Sequence, residues 1–269
     1  MADNVFAIYD VVDFAVQDYV SGDLLFVVDY AKSITLKTEA ETLEIHGGIG
    51  NPVRITTNHS RKAAFESVLP LIDVAALGTK LGRKVTRGKQ VASKTELLSV
   101  DAATGIAELS HNPEVGTLKV YAVADNGRDL QNELKLGDPE DDTGEYSISA
   151  ERITVNEELK GKHIRVIYRY KTEDDTPLVR VTSEDFSEVC TITGEGYRED
   201  ESGNKNPVSF ICYRAKPTPE FEITFESGTA TEVPFNCDLS VDIVNGESVY
   251  FDIIPIIGET WRGGEVSSE

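Results

Sequence analysis

Short runs of alternating apolar and polar residues recur along most of the chain, and Gly, Asn, Asp and Pro separate them. A period of two is the pattern of β-strands with one buried face, so the sequence predicts a mainly β protein. The clearest case is the run from His163 to Tyr170, where Ile164, Val166 and Tyr168 occupy alternate positions.

Two pairs of runs predict hairpins. Phe14–Val20 and Leu24–Tyr30 flank a Ser-Gly-Asp turn, and Glu188–Tyr197 and Pro207–Ala215 flank a polar tip at residues 198–206. The other predicted strands are Ser33–Thr38, Thr42–His46, Val53–Thr57, Ala64–Leu69, Glu96–Val100, Ile106–Leu109, Leu118–Ala124, Tyr146–Ala150, Arg152–Val155, Glu220–Glu226, Val233–Val244 and Ser248–Ile257.

One segment departs from the period of two. Apolar residues from Leu71 to Leu81 recur at helical spacing, Pro70 stands at a favoured helix start, and Gly82 follows the last of them. The sequence therefore predicts one short amphipathic helix that packs on the sheet.

The middle of the chain can be drawn as a separate β-rich unit. We expect an inserted domain at residues 93–176, which would make the first domain discontinuous (1–92 and 177–257) and leave a polar C-terminal tail at 258–269. A basic connector at residues 83–92 precedes this insertion. It is either an exposed linker or a contact for an acidic face of a neighbouring subunit.

The charge of the chain narrows the possible functions. Lys and Arg number 26 against 47 Asp and Glu, a formal net charge of -21. Nucleic-acid binding depends on cations that neutralise phosphates, so specific binding to DNA or RNA is not expected. Acidity of this kind favours solubility, and it also suits a wall past which DNA slides without binding.

The residues of common catalytic and metal sites do not converge in this sequence. His46, His59, His111 and His163 lack a Cys or a second His at ligand spacing, and His46-Gly-Gly has no GxSxG motif to accompany it. The acidic residues between Asp138 and Glu145 lack the EF-hand spacing, which favours a solvated loop over a calcium site. The three scattered cysteines are typical of a reducing compartment, and Cys190 and Cys212 are expected to be small buried residues of strands. We therefore predict no enzyme, no cofactor and no metal.

Two regions resemble the bacteriophage major tail protein family, whose members are tail-tube subunits. The first is Thr38-Glu-Ala-Glu-Thr-Leu-Glu-Ile-His-Gly-Gly-Ile-Gly-Asn-Pro52 with the strand and helix after it. The second runs from Val189-Cys-Thr-Ile-Thr-Gly-Glu-Gly-Tyr197 through Ser209–Pro217 to the Pro-Phe-x-x-x-Asp-Leu sequence that ends at Leu239. The resemblance covers roughly residues 1–90 and 180–257, and the chain is longer than simple tube subunits.

This resemblance implies a β-sandwich or half-barrel with a flanking helix, homo-oligomeric (hexameric) rings, and a stacked tube for DNA ejection. The implied partners are the tape-measure and terminator proteins. DNA would pass through the tube without binding, and the inserted domain would decorate the outside of the tube. No membrane is expected to be a partner. Two loops suit contacts between subunits, and their candidate residues are Gly47, Gly48, Gly50, Asn51, Arg198, Asp200 and Asn204. The N-terminal sequence predicts no signal peptide, so we expect synthesis in a host cytoplasm and residence in the virion tail. Capsid decoration, a head–tail or baseplate ring, and a carbohydrate- or cell-surface-binding module remain alternatives.

Overall fold

The computed structural model describes residues 6–124, 126–140, 142–200, 203–220, 222–228, 231–257 and 259. The chain divides into two compact units, which we call unit 1 (Met1–Val85 and Val179–Glu269) and unit 2 (Thr86–Leu178).

The described elements follow in chain order. The first part of unit 1 contains β1 (Phe6–Asp18), β2 (Leu24–Val28), β3 (Ser33–His46), β4 (Val53–Leu69) and α1 (Val74–Lys80). Unit 2 contains β5 (Thr86–Gly88), β6 (Val91–Ser99), β7 (Ile106–Glu108), β8 (Lys119–Val123), β9 (Leu130–Leu136), β10 (Glu145–Ser149), β11 (Arg152–Val155), a 3-10 turn (Glu157–Leu159), β12 (His163–Lys171) and β13 (Thr176–Leu178). The last part of unit 1 contains β14 (Cys190–Asp200), β15 (Lys205–Pro217), β16 (Val233–Leu239), β17 (Asp242–Val244), β18 (Glu247–Val249) and β19 (Phe251–Pro255).

Unit 1 is built around one curled sheet. Its strand order is β2-β1-β14-β15-β16-β4-β3, and β19 also pairs with β15. The ring of Phe14 on β1 lies 5.4 Å from that of Phe65 on β4, and the ring of Phe26 on β2 lies 5.3 Å from that of Phe235 on β16. Strands far apart in the sheet order thus meet across one core. The sheet is nearly barrel-shaped, and the predicted mainly β half-barrel is confirmed.

The predicted helix is confirmed, with different bounds. It begins after Asp73, whose side chain accepts hydrogen bonds from the backbone N–H groups of Ala75 and Ala76 (2.6 and 3.1 Å), and not at Pro70. It ends at Lys80. Gly82 then has a φ of 70°, and a Cβ there would lie 1.9 Å from the carbonyl oxygen of Phe186, so glycine is required at this position.

Several strand predictions need correction. Ser33–Thr38 and Thr42–His46 form one strand, β3, and the two strands predicted after the glycine-rich loop form one strand, β4. The segment 220–226 was predicted as a strand, but its described residues form none. The sequence also missed β9, whose alternation is weak. These differences arise because strand pairing, and not the local pattern alone, decides where a strand ends.

The three cysteines lie in the core of unit 1. Cys190, Cys212 and Cys237 are free and at most 1% exposed. Burial raises the pKa of the Cys212 thiol to about 12, because the thiolate is poorly solvated there. These residues therefore act as small apolar core residues, as predicted for Cys190 and Cys212.

Unit 2 has its own sheet and core. The strand order is β6-β12-β8-β9-β10-β11-β7, in which β9 and β10 pair in parallel. Its core residues include Val120, Ile153, Ile164, Val166 and Tyr168. At the boundary of the unit, Thr86 of β5 is paired with Leu178 of β13.

We expect unit 2 to fold when it is separated from unit 1. Residues 86–178 expressed alone should unfold cooperatively, and so should a chain in which a Gly-Ser-Gly link joins Val85 to Val179. Paired strand residues lie roughly 5 Å apart, so a short link can bridge the cut. Thermal unfolding followed by circular dichroism is the measurement. A shortened chain without a cooperative transition would show that the two units depend on each other for folding.

Lys80 is a buried cation at the end of α1. Its side chain is 1% exposed, and its Nζ donates a hydrogen bond to the Pro234 carbonyl at 2.7 Å. No ion pair of Lys80 is found among the described residues. Burial lowers the pKa of Lys80, because the charged ammonium loses its hydration.

Replacing Lys80 by methionine should therefore raise the stability of the protein at neutral pH by about 1 kcal/mol or more. Because the pKa is lower in the folded state, the unfolded state binds more protons at pH values between the folded pKa and the unfolded pKa. Stability should therefore rise with pH in that window, and Lys80→Met should lose this slope. Urea unfolding at neutral and alkaline pH measures both effects. A less stable variant would show that the hydrogen bond to Pro234 outweighs the cost of the buried charge.

Candidate functional site

The distal half of the β3–β4 hairpin is exposed on both faces. Residues 39–46 of β3 and 53–62 of β4 are all exposed, whereas the proximal part of β4 contributes Phe65 and Leu69 to the core. We call this exposed ribbon (residues 39–62) the arm. An isolated two-stranded ribbon has little stability of its own in water, so the arm is a candidate for contact with another protein.

One face of the arm is apolar. Leu43, Ile45, Val53 and Ile55 are 50, 47, 46 and 57% exposed. Ile45 is paired with Ile55, and Leu43 is two residues before Ile45 on β3, so these three side chains lie on one face. Val53 follows a register shift and is paired with His46. A contiguous apolar strip on a soluble surface is typical of an interaction site.

The base of the arm carries ion pairs. Nζ of Lys37 lies 2.6 Å from Oε1 of Glu39, and Nζ of Lys62 lies 3.6 Å from Oε1 of Glu41. The hydrogen bond from Lys37 lowers the pKa of the Glu39 carboxyl. The pairs are exposed and contribute little to stability, but they keep this part of the ribbon polar.

The tip of the arm holds the first group of predicted assembly residues. The N–H of Gly47 donates to the carbonyl of Pro52 at 3.1 Å, and that of Asn51 donates to Gly48 at 3.0 Å. Nε of Arg54 donates to the carbonyl of Gly47 at 2.9 Å. Gly48 and Gly50 have φ values of 94° and 83°, which favour glycine. The loop thus has a defined conformation that leaves Ile49 fully exposed.

The second group lies at the β14–β15 turn, where one expectation needs correction. The sequence placed Arg198 in the polar tip, but β14 continues to Asp200, and Arg198 is paired with Ile8 on one side and Asn206 on the other. Its side chain is 2% exposed, and Nη2 donates to the carbonyl of Ile256 at 3.3 Å. Arg198 therefore holds the chain after β19.

The other two residues of this group are closer to the turn. Asp200 is the last residue of β14, and Asn204 is exposed just before β15 begins. Their role in assembly stays a prediction.

The face of the sheet opposite the core is polar near β1, β14 and β15. Asp13, Thr193, Glu195 and Ser209 line a shallow groove of about 340 Å³. Partial burial and the nearby Asp29 raise the pKa of the Asp13 carboxyl. The carboxylates on this face repel phosphate groups, and its hydroxyl groups contact them only weakly.

The carboxylates of the acidic loop in unit 2 accept hydrogen bonds from backbone N–H groups of the same loop. Asp138 accepts a hydrogen bond from the N–H of Glu140, Asp142 from that of Gly144, and Glu145 from that of Asp138. Asp141 lies outside the described residues.

In the described part of the chain, no group of three or more His, Cys, Asp or Glu side chains is placed to hold a metal ion. No helix among the described residues is long and apolar enough to cross a membrane.

Comparison with known proteins gives the family. None of the curated proteins matches the chain. The sequence model of the YomU/Tube protein family, however, matches residues 6–253, which include every described strand of unit 1 except the end of β19, and all of unit 2. Because this match covers nearly the whole chain, the protein belongs to the YomU/Tube protein family.

Proposed function

We propose that this protein is the tail-tube subunit of a long-tailed bacteriophage, and that its copies close into hexameric rings which stack into a tube for DNA ejection. The membership in a family named for a tube supports a structural role in the phage tail. The observation that supports assembly into rings and tubes is the arm, an exposed ribbon with an apolar strip that no described residue of its own chain covers.

The arm suits contact between copies. A β-rich subunit can bury such a ribbon against a neighbour in the same ring or in the next ring, and repetition of this contact builds a tube. Gly47, Gly48, Gly50 and Asn51 at its tip, together with Asp200 and Asn204, are the proposed contact residues.

The polar face of the sheet suits the wall of a channel. In this proposal Asp13 and Glu195 face the lumen, where their carboxylates let DNA pass without binding. The tape-measure protein occupies the lumen before ejection, and a terminator protein closes the tube. The net charge of -21 supports a wall without affinity for phosphates.

Negative-stain electron microscopy of the concentrated protein tests this function. Rings or hollow tubes are the expected result, and the mass of the particles measured by light scattering gives the number of copies in a ring. Solid aggregates or compact monomers at every concentration, with or without tail-tip proteins as initiators, would contradict the proposal.

A further inference from the structure

The outward side of strand β12 in unit 2 carries a row of basic residues. The core side of this strand holds Ile164, Val166 and Tyr168, which are buried. The alternate positions point away from the core and are His163, Arg165, Ile167, Arg169 and Lys171. Residues two apart in a strand are separated by roughly 6.7 Å, so the side chains of Arg165 and Arg169 flank that of Ile167 on one face.

Two neighbouring strands extend this face of the sheet. Leu97 on β6 is paired with Arg165, and on β8 Tyr121 is paired with Arg165 and Lys119 with Ile167. Residues that are paired across strands share a face. Leu97 and Ile167 are 47 and 40% exposed. We call this surface the cationic face and define it by Leu97, Lys119, Tyr121, Arg165, Ile167 and Arg169.

Two arginines of the cationic face lack a counter-charge in the described part of the chain. Nζ of Lys119 lies 3.3 Å from Oε1 of Glu133 on β9. Arg165 and Arg169, by contrast, form no ion pair with a described residue. Nε of Arg165 is also buried without a hydrogen-bond partner among those residues. Because guanidinium groups form strong hydrogen bonds with carboxylates, the two arginines are suited to acids of another molecule.

The basic connector differs from the cationic face, because its cations are paired within the same chain. Nη1 of Arg87 lies 3.1 Å from Oδ2 of Asp175, and Nζ of Lys89 lies 3.2 Å from Oδ1 of Asp174. Arg83 is bonded to Asp185. The sequence left open whether the connector contacts an acidic neighbour. The unpaired arginines of β12 make the cationic face the better candidate for that contact.

Other copies of this chain present the matching charge. Unit 1 contains 14 Lys and Arg against 29 Asp and Glu, and unit 2 contains 12 against 18. Exposed carboxylates of unit 1 that form no ion pair with a described residue include Asp23, Glu184, Glu188, Asp238 and Glu247. Two copies that each carry a net charge of -21 repel each other, so their contact requires places where opposite charges meet.

The composition of the cationic face favours a protein over a phosphate polymer as its partner. Arginine, tyrosine and aromatic side chains are enriched in protein interfaces, and the fully buried centre of such an interface is apolar. A phosphate polymer would neutralise Arg165 and Arg169 but would leave Leu97 and Ile167 exposed. An acidic protein surface can cover both kinds of side chain.

We infer that the cationic face of unit 2 in one copy binds an acidic surface of unit 1 in a neighbouring copy. This inference rests on the proposed function, since it names a second contact, besides the arm, through which the copies assemble. The guanidinium groups of Arg165 and Arg169 donate hydrogen bonds to carboxylates of the neighbour, and Leu97 and Ile167 become buried between the copies. The contact offsets the mutual repulsion of the acidic copies.

Carbodiimide cross-linking of an Arg169→Lys protein tests the inference. This reagent joins an amine to a carboxylate that it contacts directly, and the substitution keeps the positive charge. Isotope-labelled and unlabelled proteins are mixed under assembly conditions, so that mass spectrometry distinguishes links between copies from links within one copy. We expect residue 169 of one copy to be linked to an Asp or Glu of unit 1 in another copy.

Arg152→Lys is the matched control for this experiment. Arg152 is an exposed arginine of β11, and its Nε lies 3.1 Å from Oε1 of Glu108 in the same unit. Residue 152 should therefore be linked to Glu108 of its own copy and not to another copy.

The outcomes separate the inference from the proposed function. Tubes in which residue 169 is linked only within its own copy, or only to unit 2 of another copy, would overturn the inference and leave the tube subunit standing. The absence of rings and tubes from the unmodified protein would overturn both.

Reversal of the charge at residue 169 gives an independent readout. Arg169→Glu should raise the critical concentration for assembly about tenfold or more, because like charges then meet at the contact. The melting temperature of the monomer should change little, since Arg169 is exposed and forms no described ion pair. Arg152→Glu changes the net charge by the same amount and should have a much smaller effect on assembly. Equal effects of the two substitutions would overturn the inference.

A binding experiment with inorganic polyphosphate distinguishes the other kind of partner. We expect no binding of polyphosphate to the unmodified protein at physiological ionic strength. Binding that is lost in the Arg169→Glu protein, together with normal assembly of that protein, would assign the cationic face to a phosphate polymer and overturn the inference.

Discussion

Replacing Ile45 and Ile55 by threonine should raise the critical concentration for assembly about thirtyfold while the monomer stays folded. The two side chains are paired at the centre of the apolar strip of the arm and are each about half exposed. Burying their exposed parts in a neighbour is worth roughly 1 kcal/mol each, and 1.4 kcal/mol is a factor of ten in an equilibrium constant. Threonine keeps the β-branched shape and the strand propensity, so the ribbon itself should survive.

The measurement is sedimentation of polymer across a range of protein concentrations. A matched control on the opposite face of the arm, Glu44→Thr with Thr56→Ser, should assemble like the unmodified protein. A third variant, in which Asn-Gly replaces residues 47–52, distinguishes the tip of the arm from its apolar strip, because this dipeptide closes a tight hairpin between His46 and Val53. If the double threonine variant polymerises normally, the apolar strip is not an assembly contact.

Replacing Phe65 by alanine should destabilise unit 1 by about 3–5 kcal/mol. The ring is fully buried and lies against the rings of Phe14 and Phe210, at 5.4 and 6.1 Å between centroids. Phe14 and Phe65 belong to strands that are far apart in the sheet order, so this contact helps to hold the curled sheet closed. Removing the ring leaves a cavity that the surrounding strands cannot fill.

Thermal unfolding measures this effect, and the melting temperature of unit 1 should fall by roughly 10 °C. Phe186→Ala is the matched control, since that ring is 66% exposed and its loss should change the melting temperature little. Equal effects of the two substitutions would show that the contact between Phe14 and Phe65 does not hold the sheet closed.

The local elements of this protein could be predicted where the pattern and the turn residues agree. Phe14–Val20 and Leu24–Tyr30 flank Ser-Gly-Asp, and β1 and β2 pair around this turn. The glycine-rich loop after His46 separates β3 from β4 as expected. The bounds of the helix were less accurate, because capping by the Asp73 side chain, and not the apolar spacing, decides where α1 begins.

The loop at the tip of the arm was predicted from the sequence, and its role in assembly stays a prediction. The glycines of the arm tip were named because such a run fits no regular element, and the structure places them in an exposed loop. The apolar strip of the arm was missed, because Leu43, Ile45 and Ile55 have the same pattern as residues that face a core. Arg198 was placed in a loop since its neighbours are polar, but strand pairing on both sides buries it.

The sequence by itself determined the class of structure, the positions of the main turns and the acidic character of the surface. It did so because side-chain alternation, turn conformations and charge are properties of neighbouring residues. The tertiary structure alone decided which strands pair, how the sheet closes on Phe14 and Phe65, and which apolar faces remain uncovered. The distal half of β3, the edge strand β2 and the 220–226 segment all carry apolar side chains suited to burial, and the folded chain leaves each of them exposed. An alternating pattern specifies which face of a strand is apolar, but what covers that face depends on residues distant in the chain or on another molecule.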